Sequence, residues 1–204
     1  MLTEVTLEEL CERRDNTVYV DHHWLCWSLT SEVTDRHGVP LMAGGFAVWG
    51  AQTPLDIEKL VFIEETAAAT PFAAIADGSR MLTSHFSVEV LGAVVRHMLP
   101  RRPALSAALE RFGIIVAPGL AGRILTATTM VIHGGTTHKR FFEDGRQAYG
   151  WVMGSPGHAL HHAVARLIDE VQARGTGSCS RRVRRYARAQ GSWTRRWPVR
   201  WDCR

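Results

Sequence analysis

The sequence predicts an α+β protein with a mainly antiparallel sheet and with helices grouped on one face. The chain of 204 residues is 46% apolar and 22% charged, a composition typical of soluble globular proteins. Predicted strands follow one another in runs, and two pairs of them are joined by Asp-Gly, a dipeptide that favours hairpins. Predicted helices stand between these runs and do not alternate with single strands, as a parallel βαβ order would require.

The first half of the chain predicts one helix followed by strands. Thr6 and Glu9 have the spacing of a capping box, which predicts a helix over 7–13. Residues 17–30 are rich in Val, Tyr, Trp and Leu and predict a strand, whereas Ser, Asp, Gly and Pro predict a loop over 31–44. Further strands are predicted at 46–49, 59–64, 72–76 and 80–83, the last two as a hairpin.

The second half predicts three helices and the remaining strands. Apolar residues recur at helical spacing over 88–98, and Pro100 ends this helix; the residues are Val88, Leu91, Val94, Val95 and Met98. Pro103 fits the first turn of a second helix over 104–112, with Gly113 as its C-cap. A last helix is predicted over 156–174. The strands are predicted at 114–116, 124–132, 140–142 and 147–153, and Asp-Gly joins the last two.

Charge divides the chain into a body, residues 1–174, and a tail, residues 175–204. The tail has nine arginines and one aspartate, a net charge of +8, whereas the body has a net charge of −4. The tail also lacks Leu, Ile, Phe and Met, so it has little with which to build a core. We therefore expect one α+β domain over the body and a disordered tail.

The composition of the tail leaves three interpretations open. Arginines with interleaved tryptophans are typical of proteins that bind nucleic acid or an anionic membrane, because guanidinium groups neutralise phosphates and indoles stack on bases or insert at the interface. The residues that would bind nucleic acid are Arg181, Arg182, Arg184, Arg185, Trp193 and Trp197. A solvated tail without function, or out-of-frame reading of GC-rich DNA, would have the same composition. A nucleic-acid-associated protein is therefore an alternative prediction.

Three histidines are candidates for a metal site. His158, His161 and His162 share one side of the last predicted helix, and imidazoles at this spacing can ligate zinc. The glutamate of a His-Glu-x-x-His motif is missing, and histidines are also common on half-buried helix faces. We therefore predict no metal, no cofactor and no catalytic residue. A hydrolase that uses these histidines is the remaining alternative.

Two pairs of residues are candidates for binding another protein. Trp24 and Trp27 have opposite parity on one predicted strand, so one indole is expected to face away from the core. Exposed tryptophans often anchor protein interfaces. Glu64 and Glu65 lie at the end of another predicted strand and would add acidic groups to such an interface.

The expected location is the cytoplasm. The first residues are acidic and lack the basic and apolar regions of a secretory signal. Four cysteines occur singly, which fits a reducing compartment. No apolar run approaches the roughly 18 residues that a membrane span needs.

Two stretches resemble the immunity proteins of actinobacterial polymorphic-toxin systems. One is SHFSVEVL at 84–91, leading to Val95 and Arg96; the other is FEDGR at 142–146 followed by GSPGHAL at 154–160. The resemblance implies a non-enzymatic cytoplasmic protein that binds a secreted toxin domain and blocks it directly. It assigns no inhibitory residue. A protein that binds another protein is thus the leading prediction.

Overall fold

One mixed sheet contains all the strands of the described chain, and each strand lies beside its neighbours in the sequence. The computed structural model describes residues 2–13, 15–21, 23–133 and 138–174, so the predicted tail lies outside it. The strands are β1 (Thr3–Glu4), β2 (Thr17–Val20), β3 (Trp24–Thr34), β4 (Pro40–Val48), β5 (Phe72–Asp77), β6 (Leu109–Ile115) and β7 (Lys139–Phe142). β3 is antiparallel to β2 and to β4, and the other four pairs are parallel.

The helices follow the strands through the rest of the described chain. They are α1 (Leu7–Glu12), α2 (Pro54–Ala67), α3 (Val88–Met98), α4 (Arg102–Ala108), α5 (Gly119–His133), α6 (Gly145–Met153) and α7 (Gly157–Arg174). Short 3₁₀ turns lie at Thr83–His85 and Leu99–Arg101. None of the helices in the described residues is long and apolar enough to cross a membrane.

The chain divides into two compact units, and the division falls within α7. The first unit, Met1–Val164, contains the sheet, α1 to α6 and the beginning of α7. In the second unit, Ala165–Arg204, the described residues are the remaining turns of α7.

The structure combines helices with a sheet, as predicted, but the prediction of a mainly antiparallel sheet is wrong. The segments 59–64, 124–132 and 147–153, predicted as strands, lie in α2, α5 and α6. α2 joins β4 to β5 and α5 joins β6 to β7, so each makes a crossover between parallel strands where a further strand was expected. Residues 80–83 do not pair with β5 either, because the chain there turns towards α3.

Helices also cover both faces of the sheet, so the prediction that they group on one face is wrong. Phe112 of β6 packs in a core cluster with Leu125 of α5. A Cβ atom on the next residue, Gly113, would lie 2.9 Å from Val152 of α6. Because successive residues of a strand point to opposite faces, α5 and α6 lie on opposite sides of β6.

Capping residues explain where two of the three unexpected helices, α2 and α6, begin. Thr53 and Asp56 form a reciprocal capping box at the start of α2, and Pro54 occupies the first turn. The Asp144 side chain accepts a hydrogen bond from the backbone N–H of Arg146 at 2.8 Å and so caps α6. The predicted helices at 7–13, 88–98 and 156–174 and the strand at 140–142 are confirmed.

Candidate functional site

The two candidate tryptophans lie on opposite faces of β3, as their parity predicts, but both are buried. Trp24 has no exposed surface, and its Nε1 donates a hydrogen bond to Asp56 of α2 at 3.1 Å. Trp27 is 2% exposed, and its ring stacks on Tyr149 of α6 with centroids 5.8 Å apart. Because helices cover both faces of the sheet, neither indole reaches the surface, and the burial contradicts a role as an exposed interface anchor.

The candidate glutamates lie on α2, not at the end of a strand, and their surroundings differ. Oε2 of Glu64 is buried without a hydrogen-bond partner among the described residues, and burial raises the pKa of this carboxyl group to about 8. Glu65 is exposed and forms an ion pair with the Arg101 side chain. Glu64 is therefore not an exposed acidic group, and the charge of Glu65 is already paired.

The three histidines of α7 have separate surroundings. His158 and His162 are exposed, whereas His161 is half-buried, with its ring 5.3 Å from that of Tyr149. Gly145 of α6 leaves room for this imidazole, because a Cβ atom there would lie 2.4 Å from His161 Nε2. Within the described ranges, no three His, Cys, Asp or Glu side chains are placed to hold a metal ion.

A buried polar cluster at the carboxyl end of β5 was not predicted. Trp27 Nε1, Tyr149 Oη and His161 Nδ1 are buried, and none makes a hydrogen bond of ordinary geometry in the described part of the chain, although the Trp27 and Tyr149 side chains interact. Asp77, the last residue of β5, is 8% exposed, and its Oδ1 accepts hydrogen bonds from the backbone and hydroxyl groups of Ser79 at 3.0 and 2.7 Å. The cluster forms only because α6 and the start of α7 pack over this face of the sheet.

The surroundings of Tyr149 and His161 keep both side chains neutral near pH 7. Burial raises the pKa of Tyr149 well above its ordinary value, the negative charge of Asp77 raises it further, and the interaction with the Trp27 side chain opposes part of this rise. Burial lowers the pKa of His161, an effect that Asp77 partly opposes. Tyr149 and Trp27 are almost completely inaccessible. A substrate therefore could not reach the cluster in this conformation.

The exposed side of α3 carries apolar residues at helical spacing. Val88 is 87% exposed, Val95 is 52% exposed and Leu99, just beyond the helix, is 37% exposed. Residues spaced by seven and then four positions lie along one side of a helix. The opposite side is already committed to a core cluster with α2 and α5, through Val90, Ala93, Val94 and Met98.

An open groove continues from this apolar row. Its volume is about 650 Å³, and it is lined by Leu99, Pro100, Arg102, Pro103, Ser106 and Ala107. We call the row Val88, Val95 and Leu99, together with this groove, the α3 surface. Arg102 is exposed and lines the groove, and Arg96 is exposed on α3. Both of these side chains are positively charged.

Comparison with protein-family models, with curated proteins and with solved structures found no match for this chain. The resemblance to immunity proteins therefore stays a prediction. The α3 surface is the one of these features that is open to a macromolecule, since the tryptophans and the polar cluster are buried.

Proposed function

We propose that this protein acts by binding another protein through the α3 surface, without catalysis, as an immunity protein that blocks a toxin would. The observation that carries the proposal is the row of exposed apolar residues on α3. A helix on the outside of a domain ordinarily has polar residues on its outer side, because apolar groups there remain in contact with water. An exposed apolar row beside a groove is typical of a surface that another protein covers.

The partner that fits this surface is a protein segment with an apolar side and acidic residues near one end. Val88 and Leu99 are 11 residues apart, a distance of about 17 Å along a helix, which is enough to contact three turns of a partner helix. Acidic groups at the groove would lie close to Arg96 and Arg102, where opposite charge favours encounter and fixes orientation.

One of the two stretches that resemble immunity proteins lies on this surface. The stretch 84–91, with Val95 and Arg96, includes the first turn of α3 and the middle of its exposed row. A role as a toxin inhibitor would require this surface to cover or distort the toxin domain, with one molecule of the protein per toxin.

Photo-crosslinking followed by measured binding tests the proposal. A photoreactive amino acid at position 95, in the full-length chain in its native cells, should crosslink one protein that the same amino acid at position 39 does not. Val39 is the matched control, because it is the same residue type and is 57% exposed in the β3–β4 connection. The crosslinked protein is then purified and its dissociation constant is measured by calorimetry.

We expect Val95→Glu to weaken this binding at least tenfold and Val39→Glu to change it less than twofold. For an immunity role, the toxic activity of the partner should fall to zero at a ratio of one to one. Equal effects of the two substitutions would contradict the α3 surface as the binding site. A partner that binds tightly without loss of its activity would contradict the inhibitory role.

A further inference from the structure

The outer edge of β7 presents backbone hydrogen-bonding groups that no strand of the described chain uses. β7 is the last strand of the sheet and pairs on one side with β6. The carbonyl groups of His138 and Phe142 accept hydrogen bonds from Phe112 N and Val116 N on the β6 side. Because alternate residues of a strand direct their backbone groups to the same side, the N–H and C=O of Lys139 and Phe141 point outwards.

Four positively charged side chains lie on β7 or near it, and none is paired with a carboxylate in the described ranges. They are Arg102, Arg111, Lys139 and Arg140. Such a group of unpaired cations is unexpected on a body whose net charge is −4. It indicates a surface complementary to an anion.

Two of these cations are held in place by Trp151 of α6. The guanidinium carbons of Arg140 and Arg111 lie 5.1 and 5.9 Å from the centroid of its ring, within the range of cation–π attraction. Arg111 also donates a hydrogen bond to the Trp151 carbonyl at 3.1 Å. Both guanidinium groups are thus ordered before any ligand arrives, which lowers the entropy cost of binding.

The cations lie on both faces of the sheet. Arg140 is in register with Gly113, which faces α6, whereas Lys139 is in register with Phe112, which faces α5. Nζ of Lys139 is buried without a hydrogen-bond partner, and partial burial together with the charge of Arg102 lowers the pKa of this amine. Consecutive residues of β7 therefore place one cationic group above the sheet and one below it.

We propose that the outer edge of β7 binds an extended acidic segment of a partner protein, which adds to the sheet as a further strand. The segment's backbone would pair with the outward groups of Lys139 and Phe141. Since its side chains would alternate between the two faces, one of two consecutive acidic residues would meet the exposed Arg140 on the α6 face. The other would lie over Lys139, whose buried amine would have to turn outwards to pair with it. A nucleic-acid strand could pair with the cations but has no regular backbone amides for the edge.

This proposal does not depend on the α3 surface, with which it shares only Arg102. Short edge strands that carry Lys and Arg are also a common protection against aggregation, and that simpler role predicts no specific ligand. Protection against aggregation alone predicts that no peptide binds this edge specifically, whereas the proposal predicts binding that depends on the backbone amides of the peptide.

Fluorescence anisotropy with the full chain tests the proposal. The probe is a labelled eight-residue peptide of Thr and Val with two adjacent glutamates at its centre. Its control has the same sequence with alternate backbone amides N-methylated, which keeps the charge but prevents strand pairing on one side. We expect the methylated peptide to bind at least tenfold more weakly, whereas attraction to the arginines of the tail would affect both peptides equally.

Two variants locate the site on the protein. Phe141→Pro removes an outward N–H without removing a hydrogen bond to β6, and Arg140→Glu reverses one cation. Each substitution should weaken binding of the unmethylated peptide at least tenfold. Arg123→Glu, an exposed charge reversal on α5, should change this binding less than threefold. Circular dichroism and thermal melting check that each variant is folded.

Three results would overturn the proposal. The first is equal binding of the methylated and unmethylated peptides. The second is Arg140-dependent binding of an oligothymidylate that matches or exceeds the peptide, which would assign the cations to nucleic acid. The third is self-association of the chain that Phe141→Pro abolishes, which would assign the edge to a second copy.

Discussion

The buried carboxyl group of Glu64 predicts that the protein loses stability as the pH rises from about 4.5 to 8. Burial raises the pKa of this group from 4.5 to about 8, so the folded protein keeps it protonated while the unfolded chain ionises it. The contribution of Glu64 to the free energy of unfolding is therefore fully present below pH 4.5 and is lost as the pH rises towards 8. The loss is up to about 1.4 kcal/mol per pH unit within this window.

Glu64→Gln tests this pH-dependent loss of stability, because glutamine has nearly the same shape as glutamate and cannot ionise. At pH 5 we expect the variant and the parent protein to have free energies of unfolding within about 1 kcal/mol of each other. At pH 8 we expect the variant to be more stable by about 2–3 kcal/mol, below the full linkage value because some water reaches this side chain. For a domain of this size, that difference raises the melting temperature by about 4–12 °C.

Urea unfolding at pH 5, 6, 7 and 8 measures the effect for both proteins. Glu65→Gln is the matched control, because its exposed ion pair with Arg101 is worth at most about 1 kcal/mol. Stability differences between Glu64→Gln and the parent that stay constant from pH 5 to pH 8 would refute the burial of this carboxyl group as its cause. A growing difference in the Glu65→Gln control would show that the pH dependence is not specific to Glu64.

Three further substitutions test the packing of the sheet and the start of α2. Gly45→Ala should destabilise the protein by about 1–3 kcal/mol in urea unfolding, because the added Cβ atom would lie 2.4 Å from the buried Trp27 ring. Gly92→Ala in α3, where nothing lies within 4 Å, should stabilise it by about 0.5–1 kcal/mol, and a loss would contradict the helix there. Thr53→Ala removes the capping box with Asp56 and should lower stability by about 1 kcal/mol, detected as a lower melting temperature; an unchanged melting temperature would contradict this cap.

The helices that sequence reasoning recovered are those with visible boundaries. The capping box at Thr6 and Pro100 after α3 mark such boundaries, and both helices are present. α5 was predicted as a strand over 124–132 because it is rich in Ile, Val and Thr, residues whose β preference is weaker than tertiary packing. The cap at Thr53 gave a signal for α2 equal to that at Thr6, so this helix could have been predicted from the same rule.

These misassigned helices changed the topology as a whole. A strand at 59–64 would allow short antiparallel connections, whereas a helix of 14 residues between β4 and β5 gives a parallel crossover. One wrong element therefore reversed the direction of the strand that follows it. The order of the strands across the sheet follows the sequence.

The candidate site was less predictable than the fold, because it depends on contacts between distant elements. Parity correctly placed Trp24 and Trp27 on opposite faces, but parity does not reveal whether a face is covered. Asp77 was assigned to a hairpin turn and Tyr149 to a strand, so no local pattern could bring them together. Only the packing of α6 against β5 and β6 does so.

The spacing of apolar residues along α3 connects the sequence most directly with the proposed function. Five apolar residues predicted this helix, yet the two most exposed of them, Val88 and Val95, lie on the side that the core does not use. α3 therefore has more apolar residues than folding of the described chain requires. An apolar residue that remains exposed contributes little to stability and favours association, so a surplus of this kind at one helix face supports an interface. The apolar residues that predict this helix therefore belong to two sets, one that packs in the core and one that is available to a partner. The sequence does not separate the two sets, whereas the burial of each side chain does.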